Sequence, residues 1–104
     1  MITILHKLSN KVLYVSMSGE LDENAAAYVR GEMDAIIGRG GFDRVVIDLS
    51  KLTFMDSTGI GVLIGRYKKL KAKGGLIFLA NPTAAVDKIL TLSGIYDIMP
   101  KVSA

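Results

Sequence analysis

The chain has 104 residues and a formal net charge of +3; half of its residues are hydrophobic and 22% are charged. That length suits one domain spanning residues 1–104, the composition can bury a core rather than stay disordered, and so mild a positive charge makes no case for direct binding of nucleic acid. With no cysteine and a single histidine, His6, disulfides, thiolate metal centres and cysteine catalysis are excluded, and a zinc cluster or a Ser-His-Asp triad has little to work with.

No apolar run reaches the ~18 residues of a membrane helix, and the N-terminus lacks a basic-then-apolar leader. The expectation is a cytoplasmic domain with no membrane contact, no cofactor and no metal. Met1 to His6 reads as a short strand in which His6 is an ordinary strand residue. Ser9-Asn10 supplies a turn, and Lys11 to Ser18 reads as the return strand. There Val12, Tyr14, Ser16 and Ser18 alternate with Leu13, Val15 and Met17, the period of two of a sheet with one wetter face. The pair predicts a β-hairpin with its first strand near an edge. Gly19 to Asp22 ends that strand and starts a helix that Asp22 or Asn24 can cap. Ala26, Val29, Met33, Ile36 and Ile37 then form an apolar stripe at helical spacing, and Gly38 to Gly41 break the helix.

Val45 to Leu49 is a nearly unbroken apolar strand, as on the inside of a covered sheet. After Leu52-Thr53-Phe54-Met55 comes a second helix with Ile60, Leu63, Ile64, Tyr67 and Leu70 on one stripe, closed by Lys71-Ala72-Lys73-Gly74-Gly75. Leu76 to Ala80 is the next strand, and strand–helix–strand predicts a right-handed crossover between parallel strands. Asn81 and Pro82 open a third helix with Ala85, Ile89 and Leu92 facing inward and Gly94 at its end. Ile95 to Met99 reads as a short last strand. The order ββαβαβα(β) predicts an α/β sandwich, a mostly parallel sheet with an N-terminal hairpin and helices packed against it.

Chemistry concentrates at Asp56-Ser57-Thr58, three side chains able to cap a helix where one suffices. Gly59 and Gly61 follow where a helix would gain from alanine. Thr58, Gly61 and Gly65 leave a bare face opposite the apolar stripe, which points either to close approach by another protein beside an exposed hydroxyl or to a neighbouring helix of the same chain received there. Gly59, Gly61 and Gly65 make a poor dinucleotide fingerprint. Such a loop follows its strand at once and is trailed by an acid at the end of the next strand; here seven residues separate Leu49 from Ser57 and Leu76 to Ala80 carries no acid. Asp48 near a strand end lacks the partner acids of a phosphoacceptor site. Arg66, Lys68, Lys69, Lys71 and Lys73 form a basic cluster that suits the negative end of a helix.

The run Phe54-Met55-Asp56-Ser57-Thr58-Gly59-Ile60-Gly61-Val62-Leu63-Ile64-Gly65-Arg66-Tyr67, with Ser18-Gly19-Glu20-Leu21-Asp22, the strand VVIDLSKL and the segment LSGIYDIM, resembles the STAS-domain anti-sigma-factor antagonist family, closest to its sporulation members, over nearly the whole chain. The resemblance implies a non-enzymatic regulator of transcription by partner switching. Such a protein binds an anti-sigma factor that is also a serine kinase and frees a sigma factor. It is switched off by phosphorylation of the motif serine, here Ser57, and restored by a serine phosphatase of the PP2C type. It implies a partner surface drawn from Glu20, Leu21, Asp22, Asn24, Asp56, Ser57, Thr58, Gly59, Gly61 and Arg66, on a protein that is a monomer when free, with Asp22 as the acidic residue beside the serine. The contrasting expectation is a STAS interaction module of a stressosome, transporter or lipid-transport complex without a phosphoswitch. Two departures from the family are visible: Glu23-Asn24 stand where sporulation members carry histidines, and their last C-terminal helix has no counterpart after Pro100.

Overall fold

A computed structural model of the chain describes residues 1–103. The first strand, β1 (Ile2–Ser9), pairs antiparallel with β2 (Val12–Leu21). The turn between them is Asn10-Lys11, one residue later than the sequence suggested. Both residues take positive φ, 51° and 63°, as a two-residue hairpin turn matching the strand twist requires. The helix α1 (Ala26–Gly38) then leads to β3 (Arg44–Met55), α2 (Ser57–Ala72), β4 (Leu76–Ala80), α3 (Ala84–Ser93) and β5 (Lys101–Val102).

The sheet order is β1-β2-β3-β4-β5, and every pair after the hairpin is parallel. The chain therefore makes three successive crossovers, each to the next strand in the same direction. Such connections are right-handed, so all three helices fall on one face of the sheet. Burial follows this arithmetic. Leu13, Val15, Met17, Val45, Ile47, Leu49, Ile77 and Leu79 are buried with Val29, Met33, Leu63, Leu70, Val86 and Leu90 in one hydrophobic core. The alternate residues Tyr14, Ser16, Val46, Asp48 and Phe78 point the other way and stay partly or largely exposed.

β3 is longer than the apolar run Val45–Leu49 announced. Its pairing with β2 shifts twice, between Ser16 and Ser18 and between Gly19 and Glu20, each time with one extra residue on β3. These bulges change the inward period from two to three, so Leu49, Leu52 and Met55 are all buried although their spacing fits neither a simple strand nor a helix.

The stripe expected on α1 is buried as read. Elsewhere the faces need correction. On α2 the buried positions are Gly59, Val62, Leu63, Arg66 and Leu70, with Ile60, Ile64 and Tyr67 half-buried beside them. On α3 they are Val86 and Leu90; Ala85 is exposed and Leu92 is 78% exposed. The cap of α3 is Thr83 rather than Asn81. Its hydroxyl donates to the Leu52 carbonyl and accepts from the Val86 N–H, which fixes the roll of a short helix that carries two overlapping apolar stripes. Ile95–Met99 is not a strand. Gly94, with φ 78°, ends α3, and a 3₁₀ turn over Ile95–Asp97 follows, with the Met99 N–H bonded to the Ile95 carbonyl at 2.9 Å; the last strand is Lys101–Val102.

Candidate functional site

Two strand ends build the site. β2 and β3 run parallel and their last paired residues are Leu21 and Met55. Asp22 and Asp56 therefore leave the sheet side by side at its C-terminal edge, one strand spacing apart, about 4.8 Å in backbone terms. The crevice beyond the strand ends of an open parallel sheet is where binding and chemistry collect.

Asp56 is the N-cap of α2. Its backbone is extended (φ −117°, ψ −173°) and its Oδ1 accepts the Gly59 N–H at 3.1 Å. Its carbonyl accepts the first intrahelical bond, from Ile60 N–H at 3.2 Å. Ser57 is thus the first helical residue and is exposed; Thr58 is half-exposed. The N–H groups of Ser57 and Thr58 come before the first intrahelical bond and lie at the positive end of a 16-residue helix, an arrangement suited to a negatively charged group. Only one residue separates β3 from Ser57, so the seven-residue gap used against dinucleotide binding does not exist. The lack of an acid on β4 still counts against that reading.

Asp22 does not cap α1. The residue before α1, Ala25, has helical angles and makes no side-chain cap. The Asp22 Oδ1 instead accepts the Ala25 N–H at 3.0 Å, closing a turn over residues 22–25 just before α1. Glu20 and Asn24 are exposed. Together with Asp22, Met1, Ile2, Ala25 and Tyr28 they line a groove of about 540 Å³ beside the helix start. Sequence reasoning missed this groove, because Met1 and Tyr28 reach it only through the hairpin and the first turn of α1.

The structure does not bring every expected residue to this surface. Leu21 is fully buried. Gly59 faces inward: a Cβ there would lie 2.7 Å from Met55 Cγ and 2.8 Å from the Leu21 carbonyl oxygen. Its clearance admits the adjoining strand ends rather than a partner. Gly61 has open space around its Cα and keeps the exposed face of the helix start bare.

Arg66 is only 5% exposed and so is not part of a solvated basic cluster. Its Nε lies 3.0 Å from Oδ1 of Asp34 on α1, and Lys69 Nζ lies 2.9 Å from Oδ2 of the same carboxylate. The Arg66–Asp34 contact is electrostatic, since the two atoms are not aligned for a hydrogen bond and Arg66 Nη1 is buried without a partner among the described residues. This link clamps α1 to α2, and with them the two segments that carry Asp22 and Ser57. The spacing Leu63, Arg66, Leu70 on the buried stripe was the signal for it in the sequence. Among the described residues there is no group of three or more acidic or histidine side chains placed to hold a metal, and no helix is long and apolar enough to cross a membrane.

The geometry finds its parallels among known proteins. Residues 4–104 match the family model described as STAS domain. An anti-sigma F factor antagonist of Paenibacillus polymyxa is 43% identical over 89 residues, 86% of this chain and 76% of the relative. An anti-sigma F factor antagonist of Lysinibacillus sphaericus is 32% identical over 91 residues, 88% of this chain and 78% of the relative. The solved structure of the anti-sigma factor antagonist SpoIIAA in its unphosphorylated form superposes with a TM-score of 0.81 at 28% identity, covering 96% of this chain and 88% of that one. The phosphorylated form of the Bacillus protein SpoIIAA gives a TM-score of 0.72 at 27% identity, covering 96% and 91%.

Proposed function

This chain belongs to the STAS domain family, and from that premise we propose that it is a single-domain, non-enzymatic anti-sigma-factor antagonist of the cytoplasm, switched by phosphate on Ser57. In this reading the unmodified protein binds an anti-sigma factor that is also a serine kinase, and so releases a sigma factor. The kinase transfers the γ-phosphoryl group of ATP to Ser57 Oγ, the hydroxyl proton is lost and ADP departs. A serine phosphatase of the PP2C type hydrolyses the ester and restores the antagonist.

The observation that supports the reading is the pairing of Leu21 with Met55, which starts Asp22 one strand over from Asp56, the cap residue before an exposed serine at a helix start. Phosphorylation adds about −1.5 to −2 charges there. The free N–H groups of the first turn can accept the phosphate in place, so the domain has no reason to unfold. A partner seated closely over the bare helix start at Gly61 meets added bulk and charge beside two carboxylates, and binding is lost. Asp22, Glu20 and Asn24 form the acidic and polar flank of the partner surface, with the groove at Tyr28 behind them. Leu21, Gly59 and Arg66 support that surface from inside.

The test is to incubate the protein with an anti-sigma F factor and ATP, locate the phosphate by mass spectrometry, and measure complex formation before and after. The expected result is phosphate on Ser57 and loss of the complex. Ser57→Ala should bind permanently, and Ser57→Asp should bind weakly while its thermal unfolding is unchanged. Phosphate found only on Thr58 would refute the assignment. Tight binding with no phosphorylation at all would favour an interaction module without a switch.

A further inference from the structure

We propose that the sheet face left bare by the three same-side crossovers is a self-complementary interface between two copies of this chain. The pairing registers place three rows of side chains on that face. The middle row is Lys7, Tyr14, Val46 and Phe78. A second row is Leu5, Ser16, Asp48 and Ala80, continued by Val102, and a third contains Val12, Arg44 and Leu76. Leu5 is 64% exposed, Leu76 49% and Tyr14 43%. Shallow grooves of about 220 and 270 Å³ flank Tyr14 and Val46. A contiguous apolar strip of this kind rimmed by charge marks an association surface.

The charge pattern selects the occupant. Arg44 and Asp48 lie on one strand, on this face, two residues to either side of Val46, or about 6.6 Å each way. A two-fold axis lying along the middle row, through Val46, turns a second copy over and reverses its β3. Val46 then faces its own counterpart, Arg44 of each copy faces Asp48 of the other, and the ion pair forms twice. Both groups can take part. The Arg44 side chain is 51% exposed and its neighbour Asp43 is no closer than 3.9 Å, while Asp48 Oδ1 accepts the Ser50 N–H at 2.8 Å, which leaves Oδ2 for a partner. Two sheets stacked about 10 Å apart with strands roughly aligned are the ordinary sandwich arrangement, and the isologous contact closes at two copies. Lys7 falls at the outer edge, where its flexible chain reaches water. Such a dimer departs from the monomer that the family resemblance implies for the free protein. Ser57 stays free, since the helices lie on the opposite face, so a dimer presents two switch sites.

Sedimentation equilibrium of the full chain over a range of concentrations tests the proposal independently of Ser57. The wild type is expected to show reversible dimerisation with a dissociation constant in the micromolar range or weaker, as a small interface of roughly 1,200 Å² gives. Arg44→Asp puts four carboxylates in the interface, and Asp48→Arg puts four guanidinium groups there. Each variant alone should dimerise at least ~10-fold more weakly, because like charges then face each other. An equimolar mixture of the two should recover a heterodimer, since opposite charges then face again on both sides. Circular dichroism checks that both variants fold. If one does not, Tyr14→Lys at an exposed position should break the dimer through the middle row instead. A wild type that stays monomeric to about 1 mM, an Arg44→Asp protein that dimerises like wild type, or a mixture that stays monomeric overturns the proposal; about 1 mM is the weakest affinity, near −4 kcal/mol, that such an experiment registers.

Discussion

Gly59 and Gly61 look alike in the sequence, and alanine at each should act with opposite sign. Both stand in the first two turns of α2, where alanine gains roughly 0.8–1 kcal/mol of helix propensity over glycine. At Gly61 nothing lies within 4 Å of the added methyl, so the gain is realised. Gly61→Ala should stabilise by about 0.5–1 kcal/mol, or about 2–8 °C in melting temperature for a domain of this size. At Gly59 the methyl would sit 2.7 Å from Met55 Cγ, 2.8 Å from the Leu21 carbonyl oxygen and 3.0 Å from Leu21 Cγ. The Met55 side chain can move aside, but the carbonyl belongs to the strand end and cannot. Overpacking a well-filled site costs about 1–3 kcal/mol. With a backbone atom among the contacts the upper end applies, leaving a net loss of roughly 2 kcal/mol after the propensity gain, or about 8–16 °C. Differential scanning calorimetry of the two variants measures this directly. The displacement would also push Ser57 away from Asp22, so Gly59→Ala should slow phosphorylation of Ser57. Gly61→Ala should leave that rate alone and weaken the anti-sigma factor complex. A Gly59→Ala protein that melts at or above the wild type would refute the argument, because the close approach would then not be what requires glycine there.

Asp22→Asn keeps an oxygen for the Ala25 N–H while removing the charge, so stability should hold and the rate of Ser57 phosphorylation should fall; an unchanged rate would reduce Asp22 to a turn residue. Asp34→Ala strands the buried Arg66 guanidinium, a fault that costs about 3–5 kcal/mol when both partners are buried. Because Asp34 keeps 36% of its side chain exposed, about 2 kcal/mol is expected by urea denaturation. Arg66→Met should cost less than Asp34→Ala, since the carboxylate left behind keeps Lys69 and water; the reverse order would contradict the burial assignment. Asp87 accepts a hydrogen bond from the Tyr96 hydroxyl at 2.6 Å and from Lys101 Nζ at 3.1 Å, and these bonds, that of Tyr96 foremost, hold its carboxyl below the usual range. A carboxyl depressed in the folded state stabilises above its unfolded pKa of about 3.9, and the contribution disappears as the pH falls through the lower folded value. Asp87→Asn should therefore be less stable than wild type at pH 7 and equal to it near pH 2; a gap that persists in acid would assign the effect to packing. Burial, then the bond to Asp87, pushes the Tyr96 phenol well above its ordinary value, so Asp87→Asn should move the Tyr96 absorbance change at 295 nm to lower pH, and an unmoved profile would leave that bond without effect.

Much of the fold was legible because its signals are local. The alternation of Leu13, Val15 and Met17 and the stripe from Ala26 to Ile37 each report one buried face, and glycine stops α3 at Gly94 where a positive φ is needed. The helix start at Asp56-Ser57-Thr58 was legible for the same reason, since a run of capping residues before an amphipathic stretch marks it without knowledge of what surrounds it; the choice of Ser57 within the run came from the resemblance of its motif to the family. The side of a residue that meets another element was not legible. The two bulges in β3 depend on pairing with β2, so the inward run Leu49, Leu52, Met55 has no period a single strand can declare. The roll of α3 is set by a bond from Thr83 to Leu52, thirty-one positions away in the chain. Arg66 is buried because Asp34 arrives from another helix, and Gly59 is required because Leu21 ends a neighbouring strand. The sequence by itself determined the three helices, the first four strands, their order and the exposed helix start before Gly59, since these follow from backbone propensity and local amphipathicity. Tertiary structure alone decided which glycine is indispensable, which cation is a clamp and which sheet face stays bare, since each depends on atoms brought within van der Waals distance by residues far away along the chain.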